Sequence, residues 1–467
     1  MSRRWRLRLL ALGCLVTLVV ATAVLPRSSG TSSATKLVTS SGSPPPPTPA
    51  AGSTQTPAAA PADAGPGVGS AAGVAADVVG PRQTSAPTTR PSRADSVAAP
   101  APPAAPAPHL GPDTMGVDAE IVYDDTLFNR DAHLAAISSG GITYVRREAH
   151  WQEIEPNPPN AFTGAHAWQW AATDAWAQDV ASHGLRWEPI MAHSAQWASS
   201  APYLGFASEA YLPRDPGTFA AYVAAVAARY GRGGTFWAEH PSLPQLPVTT
   251  YEIWNEENAA PLGTPQAYAD LLVAARSAIA AVDPQATVIV GGLAAGPTTA
   301  KQQSDDGFLR AMVAARPELA NLVQGVGYHP YADTVDEVVA NVVRMRRTLA
   351  DIGMRSTPLY LTEVGWPTAG RVDGQSDLPE ADRAVALSTV ASELVRSDCN
   401  VRQFIAFTWV DYENAPTDEL PPDSQLRWYG IANADASLKP TGQQYLATVR
   451  SLMSPTVANP LVRLCGS

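Results

Sequence analysis

The chain has 467 residues, 45% of them hydrophobic and only 16% charged, enough apolar material for a large buried core. Its net charge of −11 argues against nucleic acid and anionic membrane surfaces as partners. The N-terminus reads as a targeting segment: the basic "MSRRWRLR", the continuous apolar run "LLALGCLVTLVVATAVL", and "ATA" at Ala21 to Ala23 as a small-residue cleavage site. Residues 1–26 are therefore expected to act as a signal peptide, or as an uncleaved signal anchor, because the apolar run is near the minimum length for a bilayer span. Either way the protein is expected to be secreted or extracellular. From 27 to 108 the composition is Pro, Ala, Ser, Thr and Gly, as in "SGSPPPPTPAAG" and "VAAPAPPAAPAPH". Such a stretch cannot bury enough apolar surface to offset its ordering entropy, so it predicts a disordered linker able to tether a domain to a membrane or through a cell wall.

From 109 to 467 the texture changes. Short β-type runs follow one another in order: "TMGVDAEI", "ITYVRRE", "LRWEPIMA", "TYEIW", "TVIVGG", "VQGVGY", "PLYLTEV" and "FIAFTWV". Between them lie Ala-rich stretches with apolar residues at three- and four-residue intervals, such as "AWQWAATDAWAQDVASHG" and "VDEVVANVVRMRRTLADIG", and "PTGQQYLATVRSLM" closes the series. Eight strands alternating with helices predict an α/β fold, a (β/α)₈ TIM barrel formed as one domain. An open doubly wound sheet is the competing architecture, but no strand leads into G-x-G-x-x-G or G-x-x-x-x-G-K. If the chain is exported, Cys399 and Cys465 are expected to form a disulfide tying the tail to the segment before the last strand.

In a barrel of this kind function gathers at the C-terminal ends of the strands. Those ends read "YVRREAHW", "MAHSAQW", "IWNEEN", "GYHPY", "LTEVGW" and "FTWVDYEN", so carboxylates and aromatics collect at one pole. No His-x-His follows the first strand and no G-x-S-x-G occurs, so neither a metal, a cofactor nor a serine nucleophile is expected.

Taken together, "WNE", "HPY", "TEVGWPT", the strand-eight Trp and "VRREAHWQEIEP" resemble the clan A glycoside hydrolases (the four/seven superfamily), especially its family 39-like and family 5-like members. The resemblance spans about 112 to 455. It implies a retaining hydrolase acting on a β-linked glycan or glycoside, with Glu256 as acid and then base and Glu363 as nucleophile. Asn255 precedes the acid in the family pattern, which selects Glu256 over Glu257, and would bind the sugar 2-OH. Arg146 would hold the nucleophile, with Arg147 as the alternative because a one-residue slip changes strand face. Tyr331 would position Glu363, and His329 would line the same pocket. Trp409 would be the platform under the reacting sugar, and Trp151, Trp197 and Trp366 would stack on further sugars. The partner is thus an oligo- or polysaccharide. A barrel that only binds carbohydrate at the cell surface is the alternative reading.

Overall fold

The computed structural model describes residues 110–111, 113–123, 128–259, 263–297, 302–370, 375–413 and 420–466. The expected targeting segment and the 27–108 linker lie outside these residues. Among the described residues no helix is long and apolar enough to cross a membrane.

Eight strands form the molecule's centre: β1 (Met115–Asp118), β2 (Tyr144–Glu148), β3 (Arg186–Met191), β4 (Thr250–Asn255), β5 (Thr287–Ala294), β6 (Gly325–His329), β7 (Leu359–Val364) and β8 (Val401–Ala406). They pair in sequence order and close, β8 lying parallel to β1. A principal helix follows each strand: α1 (Arg130–Ser139), α2 (Ala171–Ser182), α3 (Pro216–Tyr230), α4 (Pro265–Val282), α5 (Asp305–Ala315), α6 (Val335–Asp351), α7 (Glu380–Val395) and α8 (Pro440–Met453). This is the (β/α)₈ barrel expected from the alternation of the sequence.

The local causes are legible. In α6, Val338, Val342, Met345 and Leu349 recur at spacings of four and three and are buried. Each such side chain contributes about 1.5–3 kcal/mol by leaving water. The Thr334 hydroxyl accepts the Glu337 N–H while the Glu337 carboxylate accepts the Thr334 N–H, which fixes where that helix starts. One helix begins later than its pattern predicts. Trp168 and Trp170 precede α2, because the Gln169 N–H bonds back to the Ile154 carbonyl and holds the approach outside the helix. At the C-terminus Cys399 and Cys465 form the expected disulfide, their Cα atoms 5.2 Å apart. The neighbouring Asp398 carboxylate accepts the N–H groups of Leu464, Cys465 and Gly466.

Strand alternation divides the side chains into two sets. In β2, Val145 and Arg147 face the helices, whereas Tyr144, Arg146 and Glu148 face the barrel axis. The interior is closed by polar as well as apolar residues, and Gln403 of β8 reaches across to donate to Glu188 of β3 at 2.5 Å. Burial, reinforced by Glu252, pushes the Glu188 carboxyl up to about 8. A carboxyl raised in the fold costs nothing below its unfolded value near 4.5, and its full penalty is present once the pH passes the folded value. Glu188→Gln keeps an acceptor for Gln403 and removes the ionisation. It is expected to raise the melting temperature more at about pH 8 than at about pH 5. Melting curves at the two pH values check this, and an equal gain at both would contradict it.

Candidate active site

The C-terminal end of β4 carries two residues in the left-handed region, Trp254 at φ 74° and Glu256 at φ 49°. Side chains with a Cβ adopt this conformation at a cost, and such residues cluster at sites where a side chain must be aimed. Here the Glu256 N–H is held by the Gly292 carbonyl, and its carboxyl turns over the barrel mouth. Glu257 turns into the wall instead. It is buried rather than at the surface, and burial pushes its carboxyl up to about 8.

Glu363, on β7, meets Glu256 across the mouth. Together with the intervening His329 of β6, the two present ligand-type atoms that all lie within 4.8 Å of one another. His329 Nδ1 is 2.9 Å from Glu256 Oε1 and 3.6 Å from Glu363 Oε2. The other ring nitrogen defines the proton count. Thr362 donates its hydroxyl to Glu252 at 2.8 Å, so its oxygen accepts from His329 Nε2–H at 3.1 Å. His329 Nδ1 and Glu256 Oε1 then meet across one hydrogen bond. Burial draws the His329 pKa down, but Glu363 and Glu256 outweigh it and leave the group above its ordinary value. Gly292 makes room for this ring, since a Cβ there would lie 1.9 Å from His329 Nε2.

Glu363 is fixed from two sides, by Arg146 Nη1 on Oε1 at 2.8 Å and by the Tyr331 hydroxyl on Oε2 at 2.9 Å. Burial and the adjacent Glu363 raise the Tyr331 pKa well above its ordinary value, so it remains a donor. Arg146 is fully engaged: Nε on Glu252 at 2.6 Å, Nη1 also on Asp118 at 3.1 Å, and Nη2 on Asn255 Oδ1 at 2.8 Å. That contact occupies the Asn255 oxygen and leaves its amide N–H groups for the cleft. Of the two candidate arginines, then, Arg146 touches the β7 carboxylate. Arg147 points outward and packs its guanidinium 3.4 Å over the Tyr123 ring, with Trp176 on the other flank.

The cleft on the Glu363 side encloses about 580 Å³, part of it open to solvent. Besides Arg146, Asn255 and Glu363 it is lined by residues that pattern reading did not single out: Asp118, Glu120, Glu148, His150, His193 and Phe407. His150 lies between Glu120 (Nε2 to Oε1, 3.0 Å) and Glu148 (Nδ1 to Oε1, 3.2 Å). His193 Nδ1 meets the other Glu148 oxygen at 2.9 Å. Although burial opposes the imidazolium, the two carboxylates raise the His150 pKa to about 10. Burial raises Asp118 to about 7 in spite of Arg146. Asp118 and Glu120 stand in "GVDAE", Glu148 and His150 in "YVRREAH", His193 in "MAH" and Phe407 in "FTWVDYEN". The signal available was their position at strand ends, without a motif.

The expected aromatic platforms need correction. Trp409 is fully buried behind the barrel wall, its Nε1 donating to His133 Nδ1 at 2.9 Å. β8 ends at Ala406, before the expected run does, and the aromatics facing the cleft from that side are Phe407 and Tyr412. Trp151 is buried as well, stacked 5.1 Å from Tyr222 and bonded through Nε1 to Glu155. Trp197 packs edge-on against Trp151 and donates to the Glu155 carbonyl. Trp366 is buried and donates to the Asp333 carbonyl. All four rings spend their N–H groups inside the protein, and none of them lines the cleft.

The sequence matches no protein-family model and no curated relative. Among solved structures, the fold is similar to GH5_18 from Streptomyces cattleya in complex with GlcNAc, with TM-score 0.54, 16% identity, and coverage of 75% of this chain and 83% of that one. It is also similar to a family 39 glycoside hydrolase from the gut symbiont Bacteroides cellulosilyticus WH2, with TM-score 0.52, 17% identity and coverage of 74% and 66%. A glucosidase from Croceicoccus marinus gives TM-score 0.51, 18% identity and coverage of 68% and 63%. The chain thus spans about two thirds of the length of the last two. At these identities the likeness is one of architecture, the closed eight-stranded (β/α)₈ barrel.

Proposed function

We propose that the protein is a retaining glycoside hydrolase that cleaves a β-linked glycan or glycoside by double displacement. The observation that carries this reading is the pairing of Glu256 and Glu363, on β4 and β7, one carboxylate oxygen of each lying within 4.8 Å of the other. Retaining enzymes hold their carboxyl groups about 5–5.5 Å apart, whereas inverting ones leave about 6.5–9.5 Å for a water. The environments of the two groups also differ in the sense the chemistry requires. Glu363 accepts hydrogen bonds from Arg146 and Tyr331, while Glu256 meets His329 Nδ1.

In the first step a Glu363 oxygen attacks the anomeric carbon as the bond to the leaving oxygen breaks, and the proton held by Glu256 passes to that oxygen. In the second, Glu256 takes a proton from water, the water oxygen bonds to the same carbon, and the Glu363 ester is released. Asn255 offers its amide N–H to the sugar 2-OH, a contact that strengthens as charge develops on the ring. Export is part of the proposal. It rests on the basic and apolar N-terminal segment and is consistent with the Cys399–Cys465 disulfide, which persists in oxidising compartments.

The test is stereochemical. With aryl β-glycosides as substrates, proton NMR of the first product formed is expected to show the β-anomer before mutarotation. An α-anomer appearing first would refute double displacement. Glycan binding without hydrolysis would favour the silent carbohydrate-binding barrel.

A further inference from the structure

The cleft touches Glu363 and Asn255 but not Glu256, so it lies on the nucleophile's side of the carboxylate pair. On the hydrolase reading above, on which this inference rests, that side receives the sugar whose anomeric carbon is attacked. Every carboxylate lining it is already matched. Asp118 and Glu363 meet Arg146 at 3.1 and 2.8 Å, Glu148 meets His150 and His193 at 3.2 and 2.9 Å, and Glu120 meets His150 at 3.0 Å and Arg147 at 3.6 Å. The cations are equally committed. The Arg146 nitrogens serve Glu252, Asp118, Glu363 and Asn255, and both His150 nitrogens face carboxylates, so both carry hydrogen. Among the described residues, no lysine lines the cleft.

We propose that this subsite excludes an anionic sugar, and that the Glu120–His150–Glu148 array sets that selectivity. A sugar hydroxyl both donates and accepts, so it can use the spare lone pairs of these carboxylates. A uronate carboxylate entering the cleft would meet Asp118, Glu120 and Glu148 with no free guanidinium among the described lining residues to receive it. Its charge would be desolvated without a partner, which is costly.

The array makes two predictions of opposite sign. His150→Gln removes the cation between Glu120 and Glu148 and makes the cleft more negative. Glu120→Gln removes one carboxylate from His150 and Arg147 and makes it less negative. Full-length wild type and both variants, each checked for cooperative melting, would be assayed near pH 6 with aryl β-glucoside, β-xyloside, β-mannoside, β-glucuronide and β-glucosaminide. The wild type is expected to prefer a neutral glycoside over the glucuronide. His150→Gln should raise kcat/KM for the glucosaminide, relative to the best neutral substrate, by roughly tenfold. Glu120→Gln should raise the glucuronide ratio by a similar factor, roughly tenfold. The glucuronide as the best wild-type substrate, or ratios that do not move in opposite directions, would overturn the proposal. If nothing is hydrolysed, the hydrolase reading fails and calorimetry with glucose, xylose, glucuronate and glucosamine decides this one. The same preference and the same opposed shifts would sustain it, while a preference for glucuronate, or no binding of any of the four, would overturn it.

Discussion

Glu363→Gln is expected to lower turnover of an activated aryl β-glycoside by at least about 10⁴-fold while the protein still folds. An amide nitrogen cannot form the glycosyl ester, and the amide oxygen is a far weaker nucleophile than a carboxylate. The structural cost is limited because the amide fits the same space. Its oxygen can accept from Arg146 Nη1, and its NH₂ then faces the Tyr331 hydroxyl, which rotates to accept. Arg146 keeps Glu252 and Asp118 as counter-ions, so its charge is not stranded in the barrel. Steady-state kinetics alongside thermal melting separate chemistry from folding. A variant that melts like the wild type and keeps a tenth of its activity would remove Glu363 from the mechanism.

The barrel was legible because its strands are buried on both faces and its helices are amphipathic, and each property leaves a period in the sequence. Carboxylates at the ends of β4 and β7 were legible for the same reason, since topology brings successive strand ends to one pole wherever they fall along the chain. The choice between Arg146 and Arg147 was open in the sequence because both neighbours are Arg and a one-residue slip exchanges faces. Three-dimensional packing decides it, by giving Arg147 an aromatic shelf of Tyr123 and Trp176. Trp409 shows where reading failed. A Trp at a strand end reads equally as platform or as core, and the end of β8 at Ala406 turns this one away to His133. The array of Glu120, Glu148, His150 and His193 carries no motif. It arises from three strand ends whose side chains meet only when the barrel closes.

Glu256→Ala should behave differently from any change at Glu363, and the contrast tests the division of roles between them. Ester formation from a poor leaving group needs a proton on the departing oxygen, so turnover of an unactivated β-glycoside should fall by about 10²–10⁴-fold or more. A dinitrophenyl leaving group needs no such proton. With that substrate the first step should survive, the glycosyl ester on Glu363 should accumulate, and a burst of phenolate should precede a slow steady state. The second step lacks the base that activates water. Azide needs no base, so it should restore the steady-state rate and yield a β-glycosyl azide, because it attacks the ester from the face the leaving group vacated. In Glu363→Ala, azide would enter from the opposite face and give the α-azide. The pH dependence should change in parallel. A general acid loses its proton on the alkaline side, and the wild-type rate with unactivated substrates should fall with it. With the dinitrophenyl substrate and saturating azide, the Glu256→Ala variant has no such proton to lose, and its alkaline limb should be absent. Identical azide anomers from the two variants, or an alkaline limb that persists unchanged, would show that the acid and the nucleophile have been assigned to the wrong strands.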